Sequence, residues 1–176
     1  MALKQGYSMQ DCSLARTLEL VGERWTMLVI RDAFYGVRRY SDFLAHLDIP
    51  RAVLSTRLRT LTDSGVLARQ RYEVSPPRDE YVLTDKGRAL WPALFALLMW
   101  GQVHASGATA VRRYYAHAAC GERLAPDGGC PSCEVAAVPP ADIEIHPAPG
   151  SGARQDPVSR ALMRPHRLLE RLETDA

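Results

Sequence analysis

No stretch of this 176-residue chain reaches the roughly 18 uninterrupted apolar residues that a bilayer span needs. The opening Met-Ala-Leu-Lys-Gln-Gly also lacks the apolar core of a secretory leader, so a cytoplasmic protein with no membrane partner is expected. There is no GxSxG, no HExxH and no phosphate-cradling glycine loop, so an enzyme is not expected. Cysteine is scarce, at four residues, and in a reducing compartment so few thiols do not make a disulfide framework. They are core thiols, redox sensors or metal ligands, and spacing has to decide. Net charge is nearly absent too, at +2, which by itself points to no class of partner.

The charge is nevertheless uneven along the chain. Between Gly36 and Arg78 there are eight arginines (38, 39, 51, 57, 59, 69, 71 and 78) against Asp42, Asp48, Asp63 and Glu73, giving 8 − 4 = +4 over 43 residues. A basic segment within a near-neutral chain suits a polyanion-binding face, although solvated helix faces carry similar runs.

Apolar periodicity organises the first hundred residues. Cys12 to Val21 places Leu14, Leu18 and Val21 at helical spacing, with Gly22 to end that helix. Arg24 to Phe34 is apolar around most of its circumference and reads as a buried central helix. Ser41 to Leu47 forms a short amphipathic helix with Ser41 as N-cap, followed by the turn Asp48-Ile49-Pro50. Arg51 to Ser64 carries Leu54, Leu58 and Leu61 on one stripe and stops at Gly65. At 100° per residue, Ala52, Ser55, Thr56, Arg59 and Asp63 fall opposite that stripe, with Arg51 and Arg57 on its flanks. After Val66 the pattern alternates, breaks at a Pro76-Pro77 tip and resumes at Glu80 to Leu83, as a hairpin does. Thr84 caps a last, very apolar helix running to about Trp100, with Pro92 as a kink. Its apolar face is wider than so small a domain can cover, and burial against a second copy is the natural outlet.

The order helix, helix, turn, helix, wing, helix carries particular residues. They are Cys12, Leu18, Gly22, Arg24 and Trp25, then Arg39-Tyr40-Ser41-Asp42-Phe43, then Leu54-Ser55-Thr56-Arg57-Leu58 with Leu61, and finally the string from Pro76 to Gly87. Over about residues 10 to 105 the chain thereby resembles the HxlR-type family of bacterial winged helix-turn-helix regulators. The resemblance implies a mainly α fold with a small β-hairpin wing. It also implies a homodimer held by the first and last domain helices, binding double-stranded DNA near the nucleoid.

A dimer of that shape is expected to recognise an inverted-repeat operator. Base contacts are expected from Arg51, Ser55, Thr56 and Arg59 at the start of the recognition helix. Phosphate contacts are expected from Arg38, Arg39, Arg57, Arg71 and Arg78. Surface ion pairing is the alternative for each arginine taken alone. Some members of the family use a cysteine resembling Cys12 as an oxidant or electrophile sensor. Packing at the dimer seam is the other reading of that residue.

Beyond the matched stretch, His117, Cys120, Cys130 and Cys133 form an H-x2-C-x9-C-x2-C pattern. Two pairs of ligands, each two residues apart, are what a tetrahedral Zn²⁺ knuckle requires, and one structural Zn²⁺ per chain is expected against unligated or oxidation-prone thiols. Glu134 stands where a glycine would ease the second turn. From Val138 the composition shifts to Pro, Gly and Ala, which reads as a linker without a core, and His166 to Leu172 reads as two turns of helix. The expected organisation is therefore 8–107 for DNA binding and dimerisation, 108–137 for the Cys/His cluster, and 138–176 for linker and tail.

Two further readings stay open. A winged helix with a zinc module can be a protein-interaction part of a transcription complex. A metal-responsive regulator would differ in that zinc changes operator affinity. The signal is left open between a redox or electrophile stimulus and a small effector of unknown identity.

Overall fold

A computed structural model describes residues 7, 10–105, 113–149 and 154–174. Four helices come first: α1 (Ser13–Val21), α2 (Thr26–Phe34), α3 (Tyr40–Leu47) and α4 (Arg51–Asp63). A two-stranded antiparallel hairpin of β1 (Leu67–Glu73) and β2 (Arg78–Leu83) follows, registered from Leu67 opposite Leu83 to Glu73 opposite Arg78. Next come α5 (Asp85–Arg88) and α6 (Trp91–His104), which are separate helices where one kinked helix was expected. The Thr84 hydroxyl accepts from the Gly87 amide to cap α5, and Pro92 opens the first turn of α6, where its missing N–H costs nothing.

The leucine stripe of α4 meets the apolar side of α2 as its periodicity requires. Val29, Ile30, Phe34, Phe43, Leu54, Leu58 and Leu61 are all at most 1% exposed. α3 begins one residue before the expected Ser41 cap; Arg39 holds that position without a capping side-chain bond. A left-handed Asp48 then turns the chain towards α4.

The C-terminal region corrects the linker reading. β3 (Arg113–His117), β4 (Ile143–Pro147) and the short β5 (His166–Arg167) form an antiparallel sheet ordered β3-β4-β5, and α7 (Pro157–Ala161) packs on α3. Val138, Ile143, Ile145, Val158, Leu162, Leu168 and Leu172 are buried in the same core as the helices. Composition misled because the prolines sit where they do no harm: Pro147 ends β4 and Pro157 opens α7, whose N-cap Asp156 accepts from the Ser159 amide at 2.9 Å. The alternation Ile143-Glu144-Ile145 is a strand signal that proline content obscured.

The expected terminal helix is likewise absent. Residues 168–174 run as a strap along the end of α2: the Leu169 amide donates to the Phe34 carbonyl and the Leu172 amide to that of Gly36. Gly36, at φ +84°, is required there, since a Cβ would run into the Glu170 carbonyl oxygen. Aromatic rings tie the C-terminal sheet to the helices. Trp91 lies 5.0 Å from Phe34, 5.6 Å from Phe95 and 5.8 Å from Tyr115, and the hydroxyls of Tyr35 and Tyr115 are 2.8 Å apart.

A charged cluster around Asp32 lies inside the core. Arg31 donates twice to the fully buried Asp32, at 2.9 and 2.7 Å, and His46 Nδ1 lies 2.7 Å from its other oxygen. Burial alone pushes the Asp32 carboxyl up, but the charge of Arg31 and the bond to His46 outweigh it and hold it below the usual carboxylate range. A depressed folded value means that the stabilisation is complete above the unfolded value, about 3.9, and is lost as pH falls through the folded one. Asp32→Asn is expected to lower stability by about 3 to 5 kcal/mol at neutral pH. Denaturation followed from pH 7 to 2 should show the variant losing less on acidification than the parent.

Candidate nucleic-acid interface and metal centre

Three elements build the basic face. On α4 the buried leucines force Arg51, Ala52, Ser55, Thr56 and Arg59 outward, and all five are exposed. The Tyr40 hydroxyl donates to the Arg51 carbonyl at 3.1 Å and lies 3.2 Å from Ser55 Oγ, which pins the first turn of α4 to α3. Thr56 Oγ1 donates to the Ala52 carbonyl at 2.9 Å, which leaves its lone pairs facing outward as acceptors. The guanidinium groups of Arg51 and Arg59 make no ion pair or hydrogen bond among the described residues. Arg57 lies lower on the flank, half-buried, with Nη1 3.7 Å from Glu23.

The wing arginines are already paired. Arg71 Nε donates to Asp79 at 3.0 Å, Arg69 pairs with the other oxygen of Asp79, and Arg78 Nε lies 3.2 Å from Glu73. Hydrogen bonds from Arg71 and Arg69 hold the Asp79 carboxyl below its usual range. Arg69 was missing from the expected contacts. It stands two residues from Arg71 on the same strand face, and the period of two would have selected it.

Arg38 and Arg39 lie against the wing. Arg38 turns inward, with Nη1 3.5 Å from the buried Glu80 and Nη2 donating to the Leu169 carbonyl at 3.1 Å. Arg39 lies over the Tyr72 ring at 5.3 Å, and its Nε is buried without a hydrogen-bond partner among the described residues. Arg38 therefore braces the strap and the wing.

Among the described residues, α1 and α6 carry exposed apolar side chains. Leu14 on α1 is 64% exposed, and on α6 Leu97, Trp100 and Val103 are 57%, 61% and 75% exposed. Cys12 is exposed at the N-cap position of α1.

The four expected metal ligands converge. The donor atoms of His117, Cys120, Cys130 and Cys133 all lie within 4.8 Å of one another. Cys120 Sγ is 3.5 Å from His117 Nδ1 and 3.5 Å from Cys130 Sγ. Zinc bonds of about 2.3 Å to sulfur in a tetrahedron put two sulfurs about 3.8 Å apart, so the cluster fits such an ion with little adjustment. His117 ends β3, and the Gly121 amide donates to its carbonyl at 2.8 Å to close the first turn. The second turn is a short 3₁₀ segment, Pro131–Cys133, closed by Glu134 at φ +53°, so a glutamate occupies the left-handed position that favours glycine. The Glu122 amide holds the Cys120 thiol below its usual value, and the bond to Cys120 pushes Cys133 up to about 12. Two neighbouring thiolates need a cation between them, which these residues can hold.

Helices α3 and α4 joined by a tight turn, α2 behind them and a hairpin beside them define a winged helix-turn-helix protein. The HxlR-like helix-turn-helix family model matches residues 20–109, and the chain belongs to that family of transcriptional regulators. Uncharacterised HTH-type transcriptional regulators of Mycobacterium bovis and Mycobacterium tuberculosis H37Rv are 41% identical over 142 residues, covering 80% of this chain and 87% of theirs. An alignment of 142 residues does not fit within residues 1–109, so the similarity reaches into the C-terminal sheet region. Among solved structures, PA1607 is 35% identical with a TM-score of 0.52, covering 68% of this chain and 92% of its own. The redox regulator HypR in its oxidised form is 30% identical with a TM-score of 0.50, covering 53% and 97%. No described helix is long and apolar enough to cross a membrane.

Proposed function

We propose that the protein acts in the bacterial cytoplasm as a homodimer that reads an inverted-repeat DNA operator through the exposed face of α4. The observation that carries this reading is the division of α4, with leucines at most 1% exposed inside and Arg51, Ser55, Thr56 and Arg59 outside. Arg51 and Arg59 offer unpaired guanidinium groups to guanine edges, while Ser55 and Thr56 offer hydroxyls to neighbouring bases. Arg57, Arg69, Arg71 and Arg78 flank the groove and exchange their carboxylate partners for phosphates on binding, with Arg39 beside them. The apolar residues of α1 and α6, Leu14, Leu97, Trp100 and Val103, become the seam between protomers, with residues 8–107 as the DNA-binding and dimerising unit.

His117, Cys120, Cys130 and Cys133 hold one structural Zn²⁺ per chain, which closes the two turns between β3 and β4. A protein-interaction module would more often expose apolar anchors on α4 than this polar face. An oxidant-sensing role for Cys12 is supported by its exposure at the start of α1 and by the likeness to HypR.

Selection of operators from random DNA tests the reading. The expected result is an inverted repeat with half-site centres about 34 Å apart, bound two chains to one duplex. Recovery of no sequence preference would exclude it. The same assay repeated with hydrogen peroxide tests Cys12, since affinity should change in the parent and not in Cys12→Ser.

A further inference from the structure

A cavity of about 550 Å³ opens between α7 and the strap, within the size range of small-ligand sites. Its lining includes Arg160, Arg164, His166 and Arg171, with Glu170 and Glu173 as the acidic members. Among the described residues, Arg160 gives one donor to the Gln155 carbonyl at 2.7 Å and meets no carboxylate, and the Arg164 side chain has no hydrogen bond or ion pair. Two guanidinium groups without anionic partners among the described residues thus face a space that admits a small molecule.

Arg171 connects that space to the wing. Its Nη2 lies 3.3 Å from Glu80 of β2, and its guanidinium lies 5.7 Å from the Tyr72 ring of β1. Glu80 is only 6% exposed, yet among the described residues its Oε2 has no hydrogen bond despite the nearby guanidinium, so the clasp is an ion pair of poor geometry. A carboxylate entering the cavity can draw Arg171 away, which leaves Glu80 with Arg38 alone.

The geometry points to an effector site for a small organic acid that carries a hydroxyl or ammonium group beside its carboxylate, coupled through Arg171 to the wing. Arg160 and Arg164 bind the carboxylate as charge-assisted donors. Glu170 and Glu173 accept from the donor group, and this mixed lining disfavours inorganic phosphate. The coupling to DNA rests on the regulator reading above, whereas the binding site itself does not.

Calorimetry of the full chain with malate, aspartate and inorganic phosphate at constant ionic strength tests the site. Malate or aspartate is expected to bind saturably with Kd below about 10 mM, and Arg164→Ala to weaken it about tenfold or more at unchanged melting temperature. Arg160→Ala serves as the independent second variant. Failure of both acids to saturate, binding that survives both substitutions, or equal binding of phosphate would overturn the assignment. Operator binding provides the second arm. The acid that binds should shift operator affinity by about 5- to 150-fold in the parent and by much less in Arg171→Ala. An unshifted affinity would overturn the coupling, and a parent that binds no operator would fail the regulator reading while calorimetry still decides the site.

Discussion

Cys130→Ser is expected to strip the protein of zinc and to loosen the C-terminal sheet while the winged helix stays folded. Cys130 is the one fully buried ligand, 1% exposed, and its backbone pairs in both directions with Val135. A serine hydroxyl offers no thiolate there, and the three remaining donors do not complete a closed structural site. Metal that binds only the folded state contributes about 4.1 kcal/mol when present at a thousand times its dissociation constant. For a chain of about 150 to 250 residues that corresponds to a fall of about 8 to 16 °C in melting temperature. Metal content by mass spectrometry should read near one zinc per chain in the parent and near zero in the variant. Hydrogen exchange should rise most in β3 and β4, which the cluster of candidate ligands adjoins, and less in α2 and α4, whose leucine-packed core holds no ligand. Parent protein free of metal after purification without added zinc would remove the site.

The second large effect is on the salt dependence of operator binding. A dimer neutralising about 6 to 10 phosphates should lose about 10³ to 10⁵ in affinity between 50 and 200 mM salt. The pairing of Arg69 and Arg71 with Asp79 sharpens the expectation. Those cations must leave one carboxylate before they meet a phosphate, so Asp79→Asn should raise affinity for DNA of any sequence. Arg78→Ala should lower it and reduce the logarithmic salt slope by about 1 per protomer. An affinity indifferent to salt would contradict both.

The winged helix was legible because its signals are local. Leucines three and four apart, Gly65 after α4 and the paired prolines at the wing tip mark elements whose partners lie next to them in sequence. The Cys/His cluster that could hold a metal was legible for the same reason, since each pair of donors spans one turn. What escaped the sequence depends on distant partners. Arg38 belongs to Glu80 and Leu169 because the strap returns across the end of α2. Ile143 and Ile145 have a strand's alternation, but their burial comes from β3 and the helices, and neither is visible in a segment judged by proline content. The helix expected from His166 onward failed because backbone bonds to Phe34 and Gly36 override a weak local preference.

The measurement that bears most directly on α4 is the ratio of operator to random-DNA affinity for Thr56→Ala beside Arg78→Ala. Loss of the Thr56 hydroxyl should shrink that ratio by about 1 to 3 kcal/mol at nearly constant random-DNA affinity, whereas loss of Arg78 should weaken both duplexes alike. A Thr56→Ala protein that discriminates as well as the parent would mean that the polar face of α4 does not read the bases.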